Sequence, residues 1–181
     1  MSTGPNVLSF KETVVRRRTT RRVGLFRRLK AVELKQTIWN IQVDGRLLQE
    51  WIRDWSGTLD MPAEMADLRS TFPAAGLLRI DGLLGTGDGP PSQALGLLFC
   101  PICRSEACGY LACDLQIGER VTWSGFRWQD TVDGRPRVTP VAGAEVLEFD
   151  AETYRRTLLD LRETIAPIVD HAAEAEERAA H

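Results

Sequence analysis

Apolar and polar residues alternate between Thr37 and Val43, with Trp39, Ile41 and Val43 on one face and Asn40 and Gln42 on the other. This is the period of a half-buried strand. Asp44-Gly45 predicts a turn. Leu47, Leu48, Trp51, Ile52 and Trp55 then recur at helical spacing, which predicts a short amphipathic helix. Pro62 at the head of Ala63–Leu68 predicts a further helical turn. From Leu77 to Trp128 the pattern reads as β structure. Leu95–Phe99 is a short apolar strand, and Tyr110–Ile117 alternates with Leu111, Cys113, Leu115 and Ile117 on one face. Gly118-Glu119 has the form of a hairpin turn, after which Val121, Trp123, Phe126 and Trp128 continue around a bulge at Gly125. The segments 84–92 and 129–143 are rich in Gly and Pro and read as mobile loops.

A helix closes the chain. Asp150 suits its N-cap, and Phe149 before it is placed to staple against Tyr154. Tyr154, Leu158, Leu161, Ile165 and Ile168 form the apolar stripe. Pro167 is expected to kink or end this helix. The elements together predict an α+β fold: an antiparallel β-sheet with a Cys-rich, zinc-ribbon-like loop between two strands and flanking helices, one of them C-terminal. The expected organisation is a basic, poorly ordered N-terminal extension over residues 1–35, a single domain over 36–166 containing the Cys cluster 100–113, and a helical tail over 167–181.

Composition is that of an ordinary globular domain, with 43% hydrophobic and 27% charged residues in 181. The net charge of −2 conceals an asymmetry. Residues 1–30 carry nine Lys/Arg against Glu12, or +8, and residues 31–181 carry fourteen against twenty-four acids, or −10. Arg16, Arg17, Arg18, Arg21 and Arg22 are therefore candidate polyanion contacts. No apolar run is long enough to cross a bilayer, and no apolar stretch follows the basic start as a secretory signal requires. A cytoplasmic location without a membrane partner is the expectation.

All four cysteines fall within fourteen residues, as Cys100-Pro101-Ile102-Cys103, Cys108 and Cys113. A C-x2-C step lets two thiolates bend onto one ion, and further thiolates a few residues on can complete a tetrahedron, for which zinc is the suited metal. In a reducing compartment such clusters are metal or redox sites more often than disulfides. Cys113 admits two roles. Its C-x4-C spacing is that of a zinc knuckle with Cys in place of His, yet it shares a strand face with apolar residues, as a core cysteine does. Redox chemistry is the competing use of the cluster: Cys100-Pro101-Ile102-Cys103 resembles the C-P-x-C of glutaredoxins, and Val138-Thr139-Pro140 their later T-V-P. Such a motif needs a helix N-terminus to lower its thiol pKa, whereas Gly109 and an alternating strand follow here within six residues. The two histidines, His171 and His181, leave nucleophilic triads poorly supplied.

The stretch carrying Cys100, Pro101, Cys103, Cys108, Gly109, Val121, Trp123, Phe126 and Trp128 resembles a group of uncharacterised small bacterial proteins of actinobacterial type. These read as C-P-x-C-x4-C-G followed by V-x-W-x2-F-x-W. The likeness spans residues 37–165 and leaves the basic arm outside. By analogy with small single-domain proteins of this sort, it implies an immunity or antitoxin role.

Three functions are therefore expected in order. The first is a non-catalytic, zinc-stabilised domain whose acidic body docks a protein partner such as a basic toxin. The second is nucleic-acid binding through the basic residues 16–30 and the knuckle-like cluster. The third is thiol–disulfide exchange at Cys100 and Cys103. Trp123 and Trp128 are candidate contact residues, against the plainer use of strand aromatics as packing.

Overall fold

A computed structural model describes residues 4–23, 28–57, 68–70, 73–87, 94–99 and 108–180, and for 17–23, 28–34 and 169–180 the backbone alone. The fold is α+β with antiparallel sheets and a C-terminal helix. Its first element corrects the expected extension. Leu8–Val23 forms strand β1, and Arg28–Val43 forms β2, joined in an antiparallel ribbon from Leu8↔Val43 to Val23↔Arg28. The cause lies at its base. Leu8 is buried beside Trp39, Ile41 and Val43, and Phe10 packs on the same cluster. Each such side chain is worth roughly 1.5–3 kcal/mol when fully buried. Asn6 fixes the entry to the strand: its backbone N–H donates to Glu148 O at 2.6 Å and its side-chain amide donates to Asp44 Oδ2 at 2.7 Å.

Strand β2 ends at the expected turn, where Asp44 (φ 53°) and Gly45 (φ 74°) both take left-handed backbone, and the short β3 (Arg46–Leu47) returns. Helix α1 (Leu48–Ser56) buries Leu48 and Ile52. The expected helical turn at 62–68 falls outside the described residues except for Leu68. From there Leu68, Arg69 and Ser70 run alongside β2, with Trp39 N–H donating to Leu68 O and Ser70 N–H to Thr37 O, each at 2.9 Å.

The expectation of β structure from Leu77 onward fails at its start. Residues Pro73–Leu83 form helix α2, whose Gly76, Ile80 and Leu83 face inward at three- and four-residue steps. Strand β4 (Leu95–Phe99) and strand β5 (Tyr110–Ile117) lie where the pattern puts them. Strand β6 (Arg120–Val132) bulges at Gly125, where the register with β5 shifts between Ala112 and Asp114. The expected mobile loop 129–143 is instead mostly sheet. Strand β7 (Arg135–Pro140) pairs with the end of β6 around Asp133-Gly134, a two-residue left-handed turn. Every β7 residue is exposed, so no alternation marks it, and its prolines are tolerated because it is an edge strand.

Strand β8 (Leu147–Asp150) pairs with the first half of β6 and leads into helix α3 (Ala151–Ala180). Asp150 Oδ1 accepts from Thr153 N–H at 2.9 Å, and the Phe149 and Tyr154 rings meet at 5.4 Å, as cap and staple require. The helix continues through Pro167 rather than ending there. Its Tyr154, Leu158, Leu161 and Ile165 share one core with α1, α2, both sheets and the base of the ribbon.

Candidate functional site

The last residue of β4 and the first of β5 are register partners, Phe99↔Tyr110, and their rings stack with centroids 5.6 Å apart at 12°. Cys100 follows Phe99 directly in the chain, and Cys108 stands two residues before Tyr110. The pair therefore holds the residues that flank the C-x2-C-x4-C segment at strand spacing, about 5 Å. Thiolates around one zinc sit about 2.3 Å from the ion, so such a neck suits them. Residues 100–107, with Cys100 and Cys103, lie outside the described residues; Cys108 is described and exposed.

Side chains from three elements brace this neck. The Arg79 guanidinium of α2 lies 4.3 Å from the Phe99 ring centroid, and Tyr110 O–H donates to Gln129 Oε1 at 2.5 Å. Trp128 covers Gly109, the residue after Cys108. Its indole N–H donates to Asp130 Oδ2 at 3.2 Å, and Asp130 is paired in turn with Arg137 of β7. The hydrogen bond from Arg137 is the main cause holding the Asp130 carboxyl below its usual range.

Cys113 is held elsewhere. It pairs with Leu95, the first residue of β4, at the far end of that strand from the Cys100–Cys108 segment. At strand rise it lies about 10 Å along β5 from Tyr110. Its thiol is fully buried in the apolar cluster, and its pKa is pushed well above the ordinary thiol range, chiefly by burial and further by the neighbouring Asp114 charge. A thiol in that setting stays protonated at neutral pH. Among the described residues, no three His, Cys, Asp or Glu side chains come together as a metal site.

Trp123 is also corrected. It is fully buried, donates its indole N–H to Tyr154 Oη at 3.2 Å, and meets Phe149 and Tyr154 edge-on. It is a core residue and offers no surface to a partner, whereas Trp128 is half-buried.

The candidate arginines lie on the β1–β2 ribbon. Among the described residues, each strand beyond the Val14↔Thr37 pair is in register only with the other. Residues 15–36 contain nine Lys/Arg and one acid, Glu33. The register sets Arg16 opposite Lys35 and Arg21 opposite Lys30, while Arg18 faces Glu33. Directly opposed like charges destabilise a ladder. The period of two puts Arg16, Arg18, Arg22 and Lys35 on one face, and Arg17, Arg21, Arg28 and Lys30 on the other. A signal for these strands exists in the β-branched Val14, Val15, Thr19, Thr20 and Val23, but charge masks it, because no apolar face alternates through them.

Among the described residues no helix is long and apolar enough to cross a membrane. Comparison with known proteins finds no matching family model, no matching curated protein and no matching solved structure.

Proposed function

We propose that this chain is a non-catalytic binding protein in which a metal-stapled α+β body presents the basic β1–β2 ribbon to a polyanion. The observation that carries the reading is the paired register of the ribbon. It gathers eight cationic residues onto the paired segments 15–23 and 28–36, and sets two cation pairs opposite each other. Polyanion binding with counterion release relieves that repulsion. Nucleic acid is the natural ligand class, since Arg outnumbers Lys six to two in these segments and guanidinium groups match phosphate oxygens.

Zinc has a structural part in this reading. Cys100, Cys103 and Cys108 would hold it, and the ion would supply a crosslink between β4 and β5 rather than a reaction. Support comes from the Phe99–Tyr110 neck and from the donor set, three thiolates at C-x2-C-x4-C spacing. Cys113, buried at the other end of β4, is left to the core. With Cys100 and Cys103 committed to a metal, thiol exchange is the weaker use of the same residues.

A second reading rests on charge separation. Residues 36–181 carry thirteen Lys/Arg against twenty-three acids, or −10, which suits electrostatic docking of a basic protein such as a toxin in an immunity-type complex. One titration separates the two. In fluorescence anisotropy with labelled duplex DNA and labelled heparin, the full chain should bind at 50 mM salt and release steeply by 200 mM. Loss of that binding on changing Arg16, Arg17, Arg18, Arg21 and Arg22 to Gln supports the ribbon. No binding of either polyanion at low salt rejects it and leaves the protein-partner reading.

A further inference from the structure

Among polyanions, we infer that the β1–β2 ribbon takes duplex DNA by entering its major groove, with both faces of the ribbon contacting phosphate. This rests on the polyanion reading above and narrows it.

Three observations lead there. First, cations occupy both faces of the paired segment rather than one: Arg16, Arg18, Arg22 and Lys35 share one face, and Arg17, Arg21, Arg28 and Lys30 share the other. A ribbon lying flat on a single anionic surface has use for one charged face only. In the major groove a ribbon stands between two phosphate backbones, and the groove, about 12 Å wide, admits two strands. Second, the paired segments Val15–Val23 and Arg28–Gln36 are nine residues each, about 30 Å at strand rise, close to the ~34 Å of one duplex turn. Third, neither segment contains Phe, Tyr or Trp, and the four residues between them contain one, Phe26, too few for a row of stacked bases. Single-strand binders rely on aromatic side chains to stack unpaired bases, so this composition disfavours single strands. The deep, narrow major groove of A-form RNA does not admit side chains, which leaves B-form DNA as the fitting duplex.

The test uses the full chain and four labelled probes: a mixed-sequence 20-base-pair DNA duplex, the same sequence as duplex RNA, one of its single DNA strands, and heparin. With the DNA duplex, log affinity should fall linearly with log salt, steeply enough that binding weakens on the order of a thousandfold or more between 50 and 200 mM. Arg16→Gln/Arg18→Gln on one face and Arg17→Gln/Arg21→Gln on the other should each lower the slope by about 2, one unit per lost phosphate contact. Circular dichroism melts check that both variants fold, and Arg18→Lys should retain the slope. A slope lost from one face alone overturns groove entry. Equal or tighter binding of duplex RNA, the single strand or heparin overturns the choice of DNA while the polyanion reading stands. No binding to any of the four probes removes both.

Discussion

The indole of Trp128 presses on Gly109 so closely that a Cβ at residue 109 would come within 2.2 Å of Trp128 Cζ2. Gly109 also holds φ +98°, backbone that L side chains rarely adopt. The residue after Cys108 is thus fixed as glycine twice over, by conformation and by its neighbour. Gly109→Ala should destabilise the fold by about 2–5 kcal/mol, combining strained backbone with overpacking. In a Trp128→Ala background the same change should cost less, because the steric part is gone. Urea denaturation of the four proteins in that cycle measures the coupling, and strict additivity would refute the contact.

Tyr154 joins three elements through one hydroxyl. It accepts from Trp123 Nε1 of β6 at 3.2 Å and donates to Leu83 O at the end of α2 at 3.0 Å, from its own place on α3. All three groups are buried. Tyr154→Phe keeps the ring and leaves an indole N–H and a carbonyl without their partner, so it should cost about 1–3 kcal/mol. Chemical denaturation checks the value. A change within a few tenths of a kcal/mol would mean that the hydroxyl does not link these elements.

Much of this body is legible in the residue pattern because one face of each element is buried. Strand β5 begins and ends where its alternation does, the bulge sits at Gly125, and α3 starts at its Asp150 cap with the Phe149 staple beside it. The elements that escape are those whose fold does not come from an apolar face. Strand β7 is exposed throughout and held by its ladder to β6. Most of β1 is polar or charged and is held by its ladder to β2, with Leu8 and Phe10 of its described side chains reaching the core. Helix α2 is misread because Leu77, Leu78, Ile80, Leu83 and Leu84 are dense enough to fit either period. The two possible roles of Cys113 cannot be separated by spacing, whereas its pairing with Leu95 puts the residue at the other end of β4 from Phe99.

Burial of Cys113 and Tyr154 gives stability a definite pH dependence. Both groups have folded-state pKa values raised by desolvation, from ordinary values of 9.0 and 10.0. Each is neutral when protonated, so the unfolded chain loses these protons first as pH rises. Their contribution is fully present below pH 9 and declines as pH passes through 9 and then 10. The urea midpoint should therefore fall across pH 9–11, and Cys113→Ala should remove the earlier part of that fall. An unchanged profile in Cys113→Ala would show that this thiol ionises as freely in the fold as outside it.

Metal content separates the four cysteines. If the three thiols at C-x2-C-x4-C spacing hold zinc at the Phe99–Tyr110 neck, part of the binding energy is folding energy of β4 and β5. Cys100→Ser, Cys103→Ser and Cys108→Ser should each lose the ion and lower the melting temperature together. A strong chelator should reproduce that loss in the parent chain and add little in these variants. Cys113→Ser should behave differently. It keeps about one zinc per chain but places a hydroxyl in the apolar cluster, costing about 1–3 kcal/mol for want of a partner. Elemental analysis of protein purified without chelators, paired with melts of each variant, reads both quantities. A parent chain holding far less than one zinc would remove the staple. Loss of metal from Cys113→Ser would return that residue to the ligand set, and β5 would then have to bend away from Leu95 to bring it to the neck.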